Sequence, residues 1–133
     1  MGNGWRFCHY RRSETRLQMG NNKAAAVLDH EQLSDACMDD QALMRELVAS
    51  LIDDTTLQLI ALRAAIEHDD GGECRRVAHY VKGACVNLGA VSLASALSTI
   101  EQQAAQGDFA ACLATLAELP SELHKLRSEA ISL

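Results

Sequence analysis

Residues 40–68, DQALMRELVASLIDDTTLQLIALRAAIEH, place Leu43, Leu47, Leu51, Thr55, Leu59, Leu62 and Ile66 at steps of three and four. Side chains return to one side of an α-helix at that interval, whereas a strand would repeat every second residue. The run therefore predicts a single amphipathic helix whose apolar stripe runs for about seven turns. A helix of that length cannot bury its stripe alone, so the rest of the chain has to supply partners for it.

The flanking sequence supplies them. Upstream, Asp29 or His30 can open a short helix with Leu33, Ala36 and Cys37, which Asp39 and Asp40 close before the long one starts. Downstream, Gly71 and Gly72 are expected to end the long helix, because glycine accepts the left-handed backbone of a helix C-terminus. A third helix is predicted from about Glu73 to Asn87 or Leu88, stopping near Gly89. A fourth covers about Ser92 to Gln106 with Leu93, Leu97, Ile100 and Ala104 on one side, and Gly107 ends it. Asp108 suits the N-cap of a last helix carrying Leu113, Leu116, Leu119, Leu123 and Leu126, which Pro120 should kink or split. No stretch alternates with strand period, and the short connections imply antiparallel neighbours. The expected fold is all-α: an antiparallel up-and-down four-helix bundle with a short additional N-terminal helix.

Composition narrows the function. The 133 residues suffice for one domain with one core, and the formal net charge is −6. Residues 1–25 hold five of the twelve Lys and Arg residues against the single acid Glu14, so residues 26–133 carry a net charge of −10. A surface that acidic is unsuited to nucleic acid, which requires a basic face. Residues 1–26, basic and holding Trp5, Phe7 and Tyr10, lack an apolar period; a disordered tail, a misplaced gene start with Met19 as the true first residue, and a docking arm are the readings open for it. Residues 27–133 form the domain. The uncharged run 83–100 contains Asn87, Ser92, Ser95, Ser98 and Thr99, too polar for a membrane span. Cys8, Cys37, Cys74, Cys85 and Cys112 form no C-x-x-C pair and read as buried thiols of a cytoplasmic protein.

Within the acidic domain one stretch differs: RRVAHYVKGACVNLGA, residues 75–90. On a helical projection Val77, Val81, Ala84 and Leu88 lie opposite His79 and face the bundle, flanked by Cys74, Ala78 and Cys85, while Arg75, Arg76, Lys82, Gly83 and Val86 lie within about 60° of it. His79 is therefore expected at the centre of an exposed face. Arg75, Arg76 and Lys82 are three of only seven basic residues in the domain. Lys82, one turn from His79, can set an ammonium beside any anion attached to the imidazole. Gly83 costs a helix about 1 kcal/mol relative to alanine and suits the close approach of another body. Together these residues suggest a nucleophilic imidazole that accepts a phosphoryl group, a cation that steadies its charge, and a gap for a partner.

His79, Lys82, Gly83 and Ala84, followed by Leu88, Gly89 and Ala90, form a pattern similar to the signature of histidine-containing phosphotransfer domains; the resemblance extends over about residues 28–128. It implies a phosphorelay intermediate in which His79 takes a phosphoryl group from the aspartate of one receiver domain and passes it to another. Lys82 would stabilise the phosphoryl charge and Gly83 would leave clearance for the receiver, with Arg75, Arg76 and Val86 as contact residues. Implied partners are response-regulator receivers and a hybrid sensor histidine kinase. The chain is expected to be monomeric, with no cofactor or metal of its own, Mg²⁺ being supplied in the receiver. Because that receiver completes most of the chemistry, whether the chain counts as an enzyme stays open. It has no Gly-rich phosphate loop for ATP. A non-catalytic helical module that binds or sequesters a receiver is the alternative. His9 in the tail, His30 near a helix start, His68 near a helix end and His124 on the last helix without a basic partner are expected on solvated surfaces, and Asp53-Asp54 and Asp69-Asp70 lack a calcium-loop pattern.

Overall fold

Four of the helix starts share one device. A computed structural model of the chain describes residues 26–133. In it an aspartate precedes a helix and its Oδ1 accepts a backbone N–H three residues on: Asp29 from Gln32 at 3.1 Å, Asp40 from Leu43 at 3.1 Å, Asp70 from Glu73 at 3.0 Å and Asp108 from Ala111 at 3.1 Å. Each cap satisfies a donor that has no partner inside the helix, and such caps are worth about 1 kcal/mol apiece. The helices are α1 (His30–Ala36), α2 (Gln41–Glu67), α3 (Gly71–Leu88), α4 (Val91–Ala105), α5 (Phe109–Leu116) and α6 (Leu119–Ile131). The readings of the N-terminal tail fall outside the described residues, except for its last position, Ala26.

Helices α2, α3 and α4 each pack against the next, and the split pair α5–α6 closes the ring by returning along α4 and α2. This is the expected four-helix bundle. Pro120 lies in the first turn of α6, where its missing N–H costs nothing, so the last helix is split in two. Helix α1 lies across α3 and α2 at one end. It is tied down by the Asp29 N–H donating to the Gly89 carbonyl at 2.7 Å and by His30 Nε2 meeting Glu129 Oε1 at 2.8 Å.

Gly89 ends α3 as anticipated, with φ of +80°, and Gly107 follows α4 with φ of +74°. The first glycine pair behaves otherwise. Helix α2 is left by Asp69 in the left-handed region, with φ of +52°, and Gly71 and Gly72 form the first turn of α3. Aspartate tolerates that conformation better than most residues. Gly71 lies against the neighbouring helices: a Cβ there would be in ordinary contact, 3.4 Å from the Ala104 carbonyl oxygen and 3.6 Å from the Phe109 ring.

The core draws on every helix, with Leu33, Val48, Ile52, Leu62, Ile66, Val77, Val81, Leu93, Leu97, Ile100, Cys112, Leu119 and Leu126 almost wholly buried. On α2 the buried face comprises Met44, Val48, Leu51, Ile52, Thr55, Leu62, Ala65 and Ile66. Leu43, from the anticipated stripe, is exposed, and Leu47 and Leu59 are half-buried. Because α2 touches α3, α5 and α6, it needs a broad face, and branched Val48 and Ile52 fill positions beside the leucines. Burial pushes the Cys85 thiol up to about 12, and burial with Cys112 alongside pushes Cys74 to about 12, so both behave as inert core groups.

Thr55 is fully buried, and its hydroxyl finds no partner among the described residues. A desolvated hydroxyl without a hydrogen bond is a net cost. Thr55→Val, nearly identical in shape, is therefore expected to raise stability by about 1 kcal/mol, read as a higher urea midpoint at unchanged m-value.

Candidate functional site

His79 sits halfway along α3 with its side chain 70% exposed. The buried face of the helix is formed by Cys74, Val77, Ala78, Val81 and Cys85, whereas Ala84 and Leu88 are only half-buried. That face is turned from the projected one toward the side on which Lys82 lies. The turn brings Lys82 down into the α3–α4 seam, leaving its side chain 27% exposed.

In the seam stands Glu101 of α4, a residue the sequence reading did not single out. One carboxylate oxygen, Oε2, accepts from His79 Nδ1 at 3.0 Å, and the other, Oε1, accepts from Lys82 Nζ at 2.7 Å. Burial alone would push the Glu101 carboxyl up, but the hydrogen bonds from Lys82 and His79 outweigh it and hold the group below the usual carboxylate range. It is therefore an anion at neutral pH. An anion can only accept, so the proton of a neutral imidazole belongs on Nδ1 and the lone pair on Nε2. Nε2 has no hydrogen-bond partner among the described residues. The signal for Glu101 was present in the sequence: it is the only charged residue between Lys82 and Asp108.

The remaining predicted residues divide. Arg75 lines a shallow groove of about 250 Å³ beside Lys82, Ser98, Glu101, Gln102 and Ala105. Arg76 points elsewhere, giving Nε and Nη2 to the two oxygens of Glu73 at 2.8 and 2.6 Å, and that guanidinium holds the Glu73 carboxyl below its ordinary range. At Gly83 the helix surface is open, since a Cβ would meet nothing within 4 Å. No packing inside the domain demands a glycine there. Val86 is exposed, as are Tyr80 on α3 and Leu57 and Ile60 on α2. Of the other described histidines, His30 meets Glu129, His68 Nδ1 donates to the Ala64 carbonyl at 2.7 Å, and His124 is exposed. Among the described residues no helix is long and apolar enough to cross a membrane, and no three His, Cys, Asp or Glu side chains converge as a metal set.

An exposed imidazole with a free Nε2 lone pair, an ammonium beside it and a carboxylate fixing both is suited to nucleophilic attack on an anionic electrophile. Comparison with known proteins points the same way. The sequence profile of the Hpt domain matches residues 46–129. The solved structure of histidine-containing phosphotransfer protein B (HptB) from Pseudomonas aeruginosa PAO1 aligns with a TM-score of 0.72 and 26% identity, over 81% of this chain and 94% of that one. A rice protein assigned as a histidine-containing phosphotransfer protein aligns with a TM-score of 0.71 and 18% identity, over 91% and 89% of the two chains, and shares the fold. No curated protein sequence matches.

Proposed function

The chain belongs to the Hpt domain family, as a phosphotransfer intermediate of two-component signalling, and we propose that His79 is the residue that carries the phosphoryl group. What supports this is the carboxylate of Glu101, which engages Nδ1 of His79 and Nζ of Lys82 together and so turns the free Nε2 lone pair to solvent with a cation at its side. Nε2 attacks the phosphorus of a receiver's aspartyl phosphate, the P–O bond to the aspartate breaks, and the aspartate leaves as a carboxylate. The reverse exchange with a second receiver returns the electron pair to Nε2. Lys82 neutralises part of the phosphoryl charge in both directions, and Arg75, in the same groove, adds positive potential on the approach. Mg²⁺ belongs on this reading to the receiver, which positions the phosphoryl donor.

The receiver also needs contact area. Val86 on the His79 side of α3, with Tyr80 on the same helix and Leu57 and Ile60 on the adjoining α2, supplies exposed apolar surface. Arg76, neutralised by Glu73, contributes less than Arg75. The partners are receiver domains and a hybrid sensor histidine kinase, met in the cytoplasm by a monomer.

The test is to incubate the chain with a phosphorylated receiver domain and locate the label. Trypsin cleavage after Arg76 and Lys82 releases a peptide in which His79 is the sole histidine. Acid-labile, base-stable phosphate on that peptide is the expected result; phosphate on a peptide carrying His30, His68 or His124 would remove the assignment.

Gly83 separates clearance from folding. Gly83→Ala is expected to stabilise the helix by about 1 kcal/mol, since the new methyl meets only solvent. Gly83→Gln is expected to fold at least as well as the wild type yet to accept phosphate from a receiver at least ~10-fold more slowly, because the added side chain occupies the approach to Nε2. Equal transfer rates in thermally stable Gly83→Gln would rule out the clearance role.

A further inference from the structure

The contact between Glu101 and Nδ1 bears on departure of the phosphoryl group as much as on its arrival. Once Nε2 carries phosphorus and Nδ1 keeps its proton, the ring is a cation, and the nearest anion on α4 is Glu101. The charged groups around the ring are Lys82 and Arg75 on α3, Arg76 with its own counter-charge Glu73, Glu101 on α4, and Asp54 on α2, which the Tyr80 hydroxyl approaches to 3.4 Å. Glu101 alone among these carboxylates touches the imidazole.

Breaking the P–Nε2 bond returns its electron pair to Nε2. If Nδ1 still holds its proton, the ring leaves as neutral imidazole, already in the tautomer that Glu101 accepts from. If the proton has been lost, the ring has to leave as an imidazolate anion, a far poorer leaving group. An adjacent carboxylate favours the protonated, cationic form. Resting on His79 as the acceptor, we propose that Glu101 is a positioning residue that sets the lifetime of the phosphorylated protein, by retaining the Nδ1 proton and so keeping the imidazole a neutral leaving group. In hydrolysis, water attacks phosphorus, the P–N bond breaks, and neutral imidazole and dihydrogen phosphate result. In relay, the receiver carboxylate takes the place of water.

The consequence is a pH dependence with a defined sign. In acid the ring is protonated with or without Glu101, and lifetimes converge. Toward alkaline pH the wild type keeps the proton longer, and removal of the carboxylate charge should lengthen the phosphoryl lifetime there. The experiment phosphorylates the full chain, Glu101→Gln and Glu101→Asp with the small-molecule donor phosphoramidate, removes the donor, and follows decay of the phosphohistidine phosphorus resonance across pH. At about pH 5 the three decays are expected within twofold of one another; at about pH 8 the Gln variant is expected to hold phosphate roughly tenfold longer, with the Asp variant close to wild type. Parallel pH profiles for wild type and Glu101→Gln would overturn the role of Glu101 while leaving His79 as the acceptor. Decay that follows a label mapped to a histidine other than His79 would overturn the acceptor assignment itself.

Discussion

Changing His79 to glutamine is expected to abolish acid-labile phosphorylation by a phosphorylated receiver while leaving the fold intact. The two halves of this expectation have separate physical causes. The side chain is 70% exposed and has a single hydrogen bond, to a carboxylate that Lys82 also occupies. A glutamine amide can still donate to Glu101, so the α3–α4 seam keeps its charge pairing, and an exposed substitution of this kind shifts stability by about 0.5 kcal/mol or less. An amide, however, offers no nucleophilic lone pair, and among the described residues no other histidine shares its carboxylate partner with a lysine as His79 does. The loss of labelling should thus be complete rather than partial. Circular dichroism melts within a few degrees of wild type, together with the absence of label, are the expected pair of results. Label persisting in His79→Gln would place the acceptor elsewhere.

Replacing Gly89 by alanine is expected to have the largest effect on stability. Gly89 adopts φ of +80°, and its Cβ would lie 2.9 Å from the Asp29 carbonyl oxygen and 3.3 Å from the Asp29 Cβ. The left-handed backbone costs an alanine about 1–2 kcal/mol and the backbone clash about as much again, for a total of about 2–4 kcal/mol. The Asp29 oxygen cannot move freely, because it accepts the Leu33 N–H at 3.1 Å while the Asp29 N–H holds the Gly89 carbonyl. A drop in the denaturant midpoint corresponding to that loss is the measurement; a change below about 1 kcal/mol would show that the α1 crossing yields easily. Ala90, which follows, is fully buried, so the Leu-Gly-Ala run is a folding element, set about two and a half helical turns from His79.

Much of this was legible in the sequence, for local reasons. Asp29, Asp40 and Asp108 announce helix starts because a short carboxylate reaches its own backbone, and Gly89 and Gly107 announce ends because only glycine is relaxed there. The exposure of His79 followed from a projection that needs nothing beyond its own helix. Where α2 and α3 turn their faces was less legible, because an Ala- and Leu-rich helix offers overlapping three-and-four patterns: Leu43 fitted the stripe as well as Met44, and Ala84 as well as Ala78. Only the neighbouring helices decide between them. Gly71 and Gly72 misled for a related reason. A glycine pair signals a helix end in isolation, yet Asp69 took the left-handed position and Asp70 the cap, placing both glycines in the first turn of α3, with Gly71 beside the Ala104 carbonyl. Glu101 stood out in the sequence only as an isolated charge; its meeting with His79, 22 positions earlier, was not legible there, because it depends on how far α4 slides along α3.

The strap that α1 makes has a consequence for how such a domain can be built into larger proteins. His30, at the first helix, touches Glu129, at the last, across 2.8 Å, so the chain enters and leaves the bundle at one pole. His79 lies about nine residues before the end of α3 nearest that pole, roughly 13 Å along the helix axis. Fusion to a neighbouring domain through either connection, or insertion through both at once, would therefore attach at a distance from the His79 imidazole. The same bundle could work as a separate carrier or as a cassette spliced into a longer polypeptide, with no redesign of the face that carries His79.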